Sequence, residues 1–221
     1  MALTSFAAAM EASKPSKHCP TWVSILLNQL KPGTPLTEEQ LSSLLSISRT
    51  PIRTALQQLV YEKLAVADTT GHIFVSTITE KDVDDVTVMR THLEPLCIEL
   101  AEFPIAQEKL ASLEEIQRQQ EELLKKQPED NYHYATLDTE FHIAIAHLCD
   151  NTLLRETVEK LGPVMVRINI LSGTLPPHKE MAMKEHAEII RYLMAGQKEF
   201  AILAMREHVK MVASRILVSM N

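Results

Sequence analysis

Between Leu36 and Val75 the hydrophobic period changes from helical to alternating, and no other feature limits the possible folds of this chain as tightly. Thr37, with Gln40 three residues on, marks a helix start, and Leu41, Leu44 and Leu45 recur at the spacing of a single apolar stripe. Ile47 fills the turn that follows. A second helix opens at Ser48-Arg49-Thr50-Pro51, where the Ser48 hydroxyl can cap and Pro51 falls in the first turn, which needs no N–H. Its inner face is Ile52, Ala55, Leu56, Leu59 and Val60. Alternation then takes over in Ala65-Val66-Ala67 and Ile73-Phe74-Val75, which flank a turn, Asp68-Thr69-Thr70-Gly71-His72, with Gly71 supplying positive φ. Two short helices and a β-hairpin in this order describe a helix-turn-helix with a wing.

The outward side of the second helix carries Arg49, Thr50, Arg53 and Gln57, gathered toward its N-terminal half, the end that a recognition helix directs at base edges and phosphates. The expected DNA-contacting set is Ser48, Arg49, Thr50 and Arg53, with Gly71 and His72 at the wing tip. LKPG at 30–33 and SRTPIRTAL at 48–56 resemble the winged helix-turn-helix of the GntR family of bacterial transcription regulators. The chain departs from that pattern at Glu39, where an Arg or another DNA-compatible residue is usual, at Thr54 in place of Glu, and at Lys63 in place of the Gly that ends the helix. A carboxylate at 39 faces phosphate and lowers affinity.

Net charge is −7, which by itself argues against a nucleic-acid partner, so its distribution decides. Residues 14–80 hold six Lys/Arg against five acids, while residues 81–221 hold 16 against 23. The acid is thus in the second half, and a near-neutral reading head implies few phosphate contacts per monomer and reliance on a dimer. Cys19, Cys97 and Cys149 are odd in number and lack ligand spacing, which points to a reducing cytoplasm. No segment has the run of about 20 apolar residues that a membrane span requires.

The 221 residues divide most simply into a disordered arm at 1–20, the winged domain at 21–78 and a helical domain at 79–221. Trp22 to Leu30 reads as a helix beneath the reading helices. Beyond Thr79 the period is helical throughout, with helices expected near 80–103 (bent at Pro95), 105–127, 131–149, 152–171 (broken at Gly162-Pro163), 178–195 and 197–218. The fold class is therefore mainly α, an N-terminal winged helix-turn-helix followed by an antiparallel helical bundle.

Within the bundle, Asp138-Thr139-Glu140-Phe141-His142 puts a carboxylate and an imidazole at i and i+4 on one helical face. His186 in KEHAEII and His208 in REHVKMV lie on later helices with apolar neighbours three and four residues away, so each can point inward. Three imidazoles and a carboxylate suit a divalent ion such as Zn²⁺ or Ni²⁺, with Mn²⁺ also compatible, in a closed or an open shell. Any one of these histidines taken alone is more often a hydrogen-bonded core or surface residue. RTHLEPLCIELA at 90–101, LDTEFHIAIAHLCDNTLL at 137–154, EHAEII at 185–190 and GQKEFAILAMREHV at 196–209 resemble successive pieces of the FCD domain, the helical effector module of FadR-like GntR regulators. That resemblance implies a metal held by Asp138, His142, His186 and His208, and a small organic acid as effector. It also implies Arg90 as an anchor for the acid, although Arg90 is equally placed for an i, i+4 ion pair with Glu94. Asn169 and Arg167, just beyond Gly162-Pro163, are further candidates to line the pocket. His133, His147 and His178 read as surface or loop residues.

These readings imply a cytoplasmic, homodimeric, ligand-responsive regulator, a repressor by resemblance, that binds a pseudo-palindromic operator in double-stranded DNA. A metal-dependent enzyme is the alternative, but no nucleophile motif, phosphate loop or Gly-rich elbow accompanies the histidines. A constitutive DNA-binding module with a structural ion is the third reading.

Overall fold

The computed structural model describes residues 32–46, 48–61, 65–128, 130–171 and 176–220. The expected arm at 1–20, the helix at 22–30 and Lys63 lie outside the described residues. The chain separates into two units at Thr77/Ile78.

In the first unit, α1 (Glu38–Leu45) starts where Thr37, in extended conformation, accepts a hydrogen bond from the Gln40 amide. It stops at Ser46, whose left-handed φ of 55° turns the chain toward the next helix. α2 (Arg49–Tyr61) buries Ile52, Leu56 and Leu59, so its apolar stripe forms the floor of the unit and its polar side is left to solvent. The wing pairs β1 (Ala65–Ala67) with β2 (Ile73–Val75) antiparallel, Ala65 opposite Val75 and Ala67 opposite Ile73. Its turn is stiffened by Asp68, whose Oδ1 accepts from the Thr70 amide, the Thr70 hydroxyl and the His72 amide, while Gly71 takes a φ of 86°. The segment 33–36 adds a further edge: the Gly33 amide donates to the Val75 carbonyl, the Val75 amide to Thr34 and the Leu36 amide to Ile73. Nothing in the sequence marks this pairing, because β-pairing across about 40 residues leaves no local signal.

Among the described residues the second unit has six helices, α3 (Glu80–Glu99), α4 (Gln107–Lys126), α5 (Asn131–Ala146), α6 (Thr152–Leu171), α7 (Pro176–Met194) and α8 (Lys198–Met220). Thr79 and Asp82 form a reciprocal capping box at the head of α3. The main core gathers Ile98 of α3, Leu113 of α4, Phe141 and Ile145 of α5, Ile189 and Leu193 of α7 and Met205 of α8. α3 runs along α8, and α5 packs against α6. Pro95 stays inside α3 without ending it.

One expectation is overturned here. α6 runs unbroken through Gly162-Pro163. Pro163 costs a hydrogen bond, but residues 165–170 on its far side are buried, and Gly162 lets α5 come so close that an added Cβ would sit 3.3 Å from Thr139 Cγ2. Packing holds the axis where local sequence would release it. Among the described residues no helix is long and apolar enough to cross a membrane.

Candidate functional site

The centre of the second unit is polar. Asp138 and His142 project from one face of α5, His186 comes from α7 and His208 from α8, and all four are buried. The structure brings their ligand atoms together: Nε2 of His208 lies 3.2 Å from Nε2 of His186 and 3.3 Å from Nε2 of His142. The Asp138 carboxylate lies beside the three imidazoles, with Oδ1 3.7 Å from His186 Nε2 and Oδ2 3.9 Å from His142 Nε2.

Tautomers follow from the outer partners. His142 Nδ1 is 2.7 Å from Glu94 Oε2 and His208 Nδ1 is 2.8 Å from Glu185 Oε2. Carboxylates only accept, so both Nδ1 atoms carry the proton and both Nε2 lone pairs point at the shared centre. His186 Nδ1 faces Gln120 Oε1 at 3.3 Å, and its ring stacks on Phe141 with centroids 3.8 Å apart. Converging lone pairs repel in a dry interior unless a cation sits between them. Ligands about 2.0–2.1 Å from one divalent ion in tetrahedral array stand about 3.3 Å apart, which matches the two spacings from His208, while Asp138 stands somewhat further off. The donor set therefore fits a divalent metal.

Electrostatics agree. Burial, together with the neighbouring imidazoles, holds His186 well below its usual range, and burial lowers His208 too, so both favour the neutral, ligating form. Burial opposes ionisation of Glu94, but Arg90 and His142 outweigh it and bring that carboxyl to about 2. Glu185 is likewise brought to about 2 against burial, by hydrogen bonds from Arg215 and His208.

Of this outer ring, sequence reasoning reached only the Arg90–Glu94 pair. Arg90 Nε donates to Glu94 Oε1 at 2.6 Å, so the i, i+4 pair forms, and it is interior where such pairs are usually exposed. Glu185 is clamped by both Arg215 terminal nitrogens at 2.8 Å. One usable signal existed: Arg215 follows His208 by seven residues, two turns along one face of α8.

Two narrow cavities of about 20 Å³ each abut the centre. One is walled by Tyr134, Asp138, Asn169, His178 and Arg215, the other by Arg90, Asn169 and an aliphatic set that includes Val83, Val86, Ile168 and Val212. Asn169 stands between them and donates to Asp138 Oδ2 at 3.0 Å. Arg90 and Asn169 thus share a wall, and Arg90 Nη2 is buried there without a hydrogen-bond partner among the described residues. Arg167 is buried but lines neither cavity. His178 departs from expectation: it is half-buried in the first turn of α7 and lines the first cavity. His133 and His147 are exposed and bonded to Asp130 and Glu159.

In the first unit Ser48, Arg49, Thr50 and Arg53 are all exposed on one end of α2, and Gly71 and His72 are exposed in the wing turn. His72 Nδ1 lies 2.8 Å from the Thr70 hydroxyl. Arg53 is held by Glu38 of α1, Nε to Oε1 at 2.6 Å and Nη2 to Oε2 at 2.9 Å. Arg49 Nη2 lies 3.7 Å from Glu39 Oε1, an approach without a hydrogen bond. The Glu38 contact was absent from the sequence reading, which considered only Glu39.

Comparison with known proteins accounts for both units. Residues 23–75 match the family described as bacterial regulatory proteins, gntR family, and residues 85–211 match the FCD domain. The chain is 29% identical over 171 residues to the HTH-type transcriptional regulator YdhC of Bacillus subtilis, covering 77% of this chain and 76% of that protein. It is 24% identical over 187 residues to the HTH-type transcriptional repressor RspR of Escherichia coli, covering 85% and 81%. The structure of McbR/YncC from E. coli superposes with a TM-score of 0.75 at 22% identity, covering 90% of this chain and 94% of that one, a likeness of fold. Head, wing and bundle together identify the chain as a member of the GntR family of bacterial transcription regulators, carrying an FCD domain, and not as an enzyme.

Proposed function

We propose that this regulator acts in the cytoplasm as a homodimeric repressor whose helical domain, residues 79–221, holds a divalent ion and senses a small carboxylate. Convergence of three buried Nε2 atoms, two with Nδ1 committed to a carboxylate, carries the reading. Asp138, His142, His186 and His208 would hold the ion, and Zn²⁺ or Ni²⁺ suits three imidazoles best, with Mn²⁺ compatible. When bound, such an ion supplies a positive centre for a carboxylate oxygen.

The chain's own groups do the rest. Arg90 Nη2 offers an unspent donor to an acid, and Asn169 ties the cavity wall to Asp138. Each cavity has room for about one water, so an acid enters only by moving the side chains around it. A sensor needs that, since a ligand shifts an equilibrium only by binding two arrangements unequally. The winged domain, residues 21–78, reads DNA through Arg49, Thr50 and Arg53, positioned by Ser48 at the helix start and by Gly71 and His72 in the wing. Two heads related by two-fold symmetry imply a pseudo-palindromic operator. A repressor among the relatives supports the sign of regulation.

Calorimetry of metal-loaded protein against dicarboxylates, hydroxy acids, sugar acids and fatty acids tests the reading. One class is expected to bind and to change affinity for a duplex selected by the protein from a random library. Uniform silence would leave a constitutive DNA-binding module with a structural ion.

A further inference from the structure

Arg53 uses only one edge of its guanidinium on Glu38. The two bonds engage Nε and Nη2, side by side. An arginine has five N–H donors, and this clamp leaves the end-on pair, one hydrogen on each terminal nitrogen, pointing away from the carboxylate. That end-on pair is a bidentate fork that fits guanine O6 and N7 in the major groove. A contact that silenced Arg53 would occupy the end edge, and here it does not. The arginine side chain remains 65% exposed while Glu38 is 29% exposed, so the acid sits behind and the fork in front. Thr37 caps α1 immediately before Glu38, which fixes the position of the carboxylate.

Glu39, one residue on, differs in every respect. It is 81% exposed, makes no hydrogen bond to Arg49 and adds only negative charge to the approach surface.

We propose that Glu38 is a positioning residue for base reading: it holds the Arg53 guanidinium in one plane so that its free end-on donors read a guanine. This rests on the reading that the head contacts DNA through Arg53. A free arginine side chain searches many rotamers and contacts phosphates and bases alike; one held from behind presents a single plane, at a fixed depth, to the groove. The carboxylate therefore raises discrimination while lowering affinity for DNA of any sequence, since it cancels charge that phosphates would attract. Opposite signs for the two quantities separate positioning from simple charge.

The test uses the full chain and a duplex that the wild type selects from a randomised library, with binding followed by fluorescence anisotropy. Each guanine of that duplex is replaced by adenine in turn to find the one whose loss costs the wild type most. Glu38→Ala is expected to cut that penalty about tenfold, the scale of one bidentate base contact, while affinity for a random duplex holds or rises. Glu38→Gln, which retains one acceptor oxygen, is expected to keep part of the penalty, and it decides the matter should the alanine variant fail to fold by circular dichroism. Glu39→Ala is expected to raise both affinities in parallel and leave the penalty intact. In an Arg53→Ala background, Glu38→Ala should change the penalty no further. A guanine penalty that survives Glu38→Ala, or a Glu38→Ala profile that matches Glu39→Ala, overturns the proposal. If the wild type selects no sequence, the DNA reading itself fails and the inference falls with it.

Discussion

Two Arg–Glu pairs in this chain share their chemistry and differ in their surroundings. Arg53 and Glu38 meet at the surface of the head, where water screens both charges and the pair adds little to stability. Arg90 and Glu94 meet in the bundle with side chains 8% and 0% exposed, where neither charge can be left alone without a large penalty. Exposure thus decides what a pair is for. At the surface, an ion pair can aim a side chain at something outside the molecule; in the interior it orients a neighbouring ring, as Glu94 does in accepting from His142 Nδ1.

Four measurements test whether burial separates the two pairs in this way. His208→Ala removes the imidazole that touches both of the others, and divalent metal measured by mass spectrometry on purified protein should fall to background. Metal retained at wild-type level would mean that the centre lies elsewhere. Glu94→Ala leaves Arg90 buried opposite no carboxylate and His142 without its anchor. Urea unfolding should show a loss of about 3–5 kcal/mol, and metal affinity should drop about 10- to 100-fold. A loss as small as that of an exposed pair would erase the contrast.

Acid titration of metal-stripped protein comes next. His186 and His208 are lowered in the folded chain, so below about 6.5 the unfolded chain takes up protons that the folded one does not. Stability is therefore complete above that pH and falls as pH drops through it. A second decline follows below about 4.5, as unfolded carboxyls protonate while Glu94 and Glu185 stay ionised down to about 2. Melting temperatures that are flat from pH 7 to 5 would contradict the first decline. Arg53→Ala should weaken binding to the selected duplex by about tenfold to a hundredfold and leave the melting temperature where it was. A marked drop in melting temperature would make this surface pair structural, like the interior one.

How much of this was legible in the sequence depended on distance along the chain. Thr37 and the change of period at the wing are signals that span a few residues, and the elements they mark appear where expected. Asp138 and His142 are one helical turn apart, so their common direction was readable. Their partners were not: Glu94 is 48 residues from His142, and Glu185 is 30 from Arg215. Glu94 was visible as a neighbour of Arg90, yet nothing local says that this face of α3 is interior. The expected break at Gly162-Pro163 failed for the converse reason, a strong local signal overruled by burial along the rest of α6. Glu38 was passed over because a carboxylate beside a recognition helix reads as repulsion until its hydrogen bonds are seen.

Gly162 has one more consequence. Its missing Cβ leaves room for Thr139, and Asn169, two turns further along α6, is bonded to Asp138, so adjacent residues of α5 meet α6 at two points seven residues apart. A displacement of the cavity wall at Asn169 would strain its bond to the Asp138 carboxylate, which lies 3.7 and 3.9 Å from two of the clustered imidazoles.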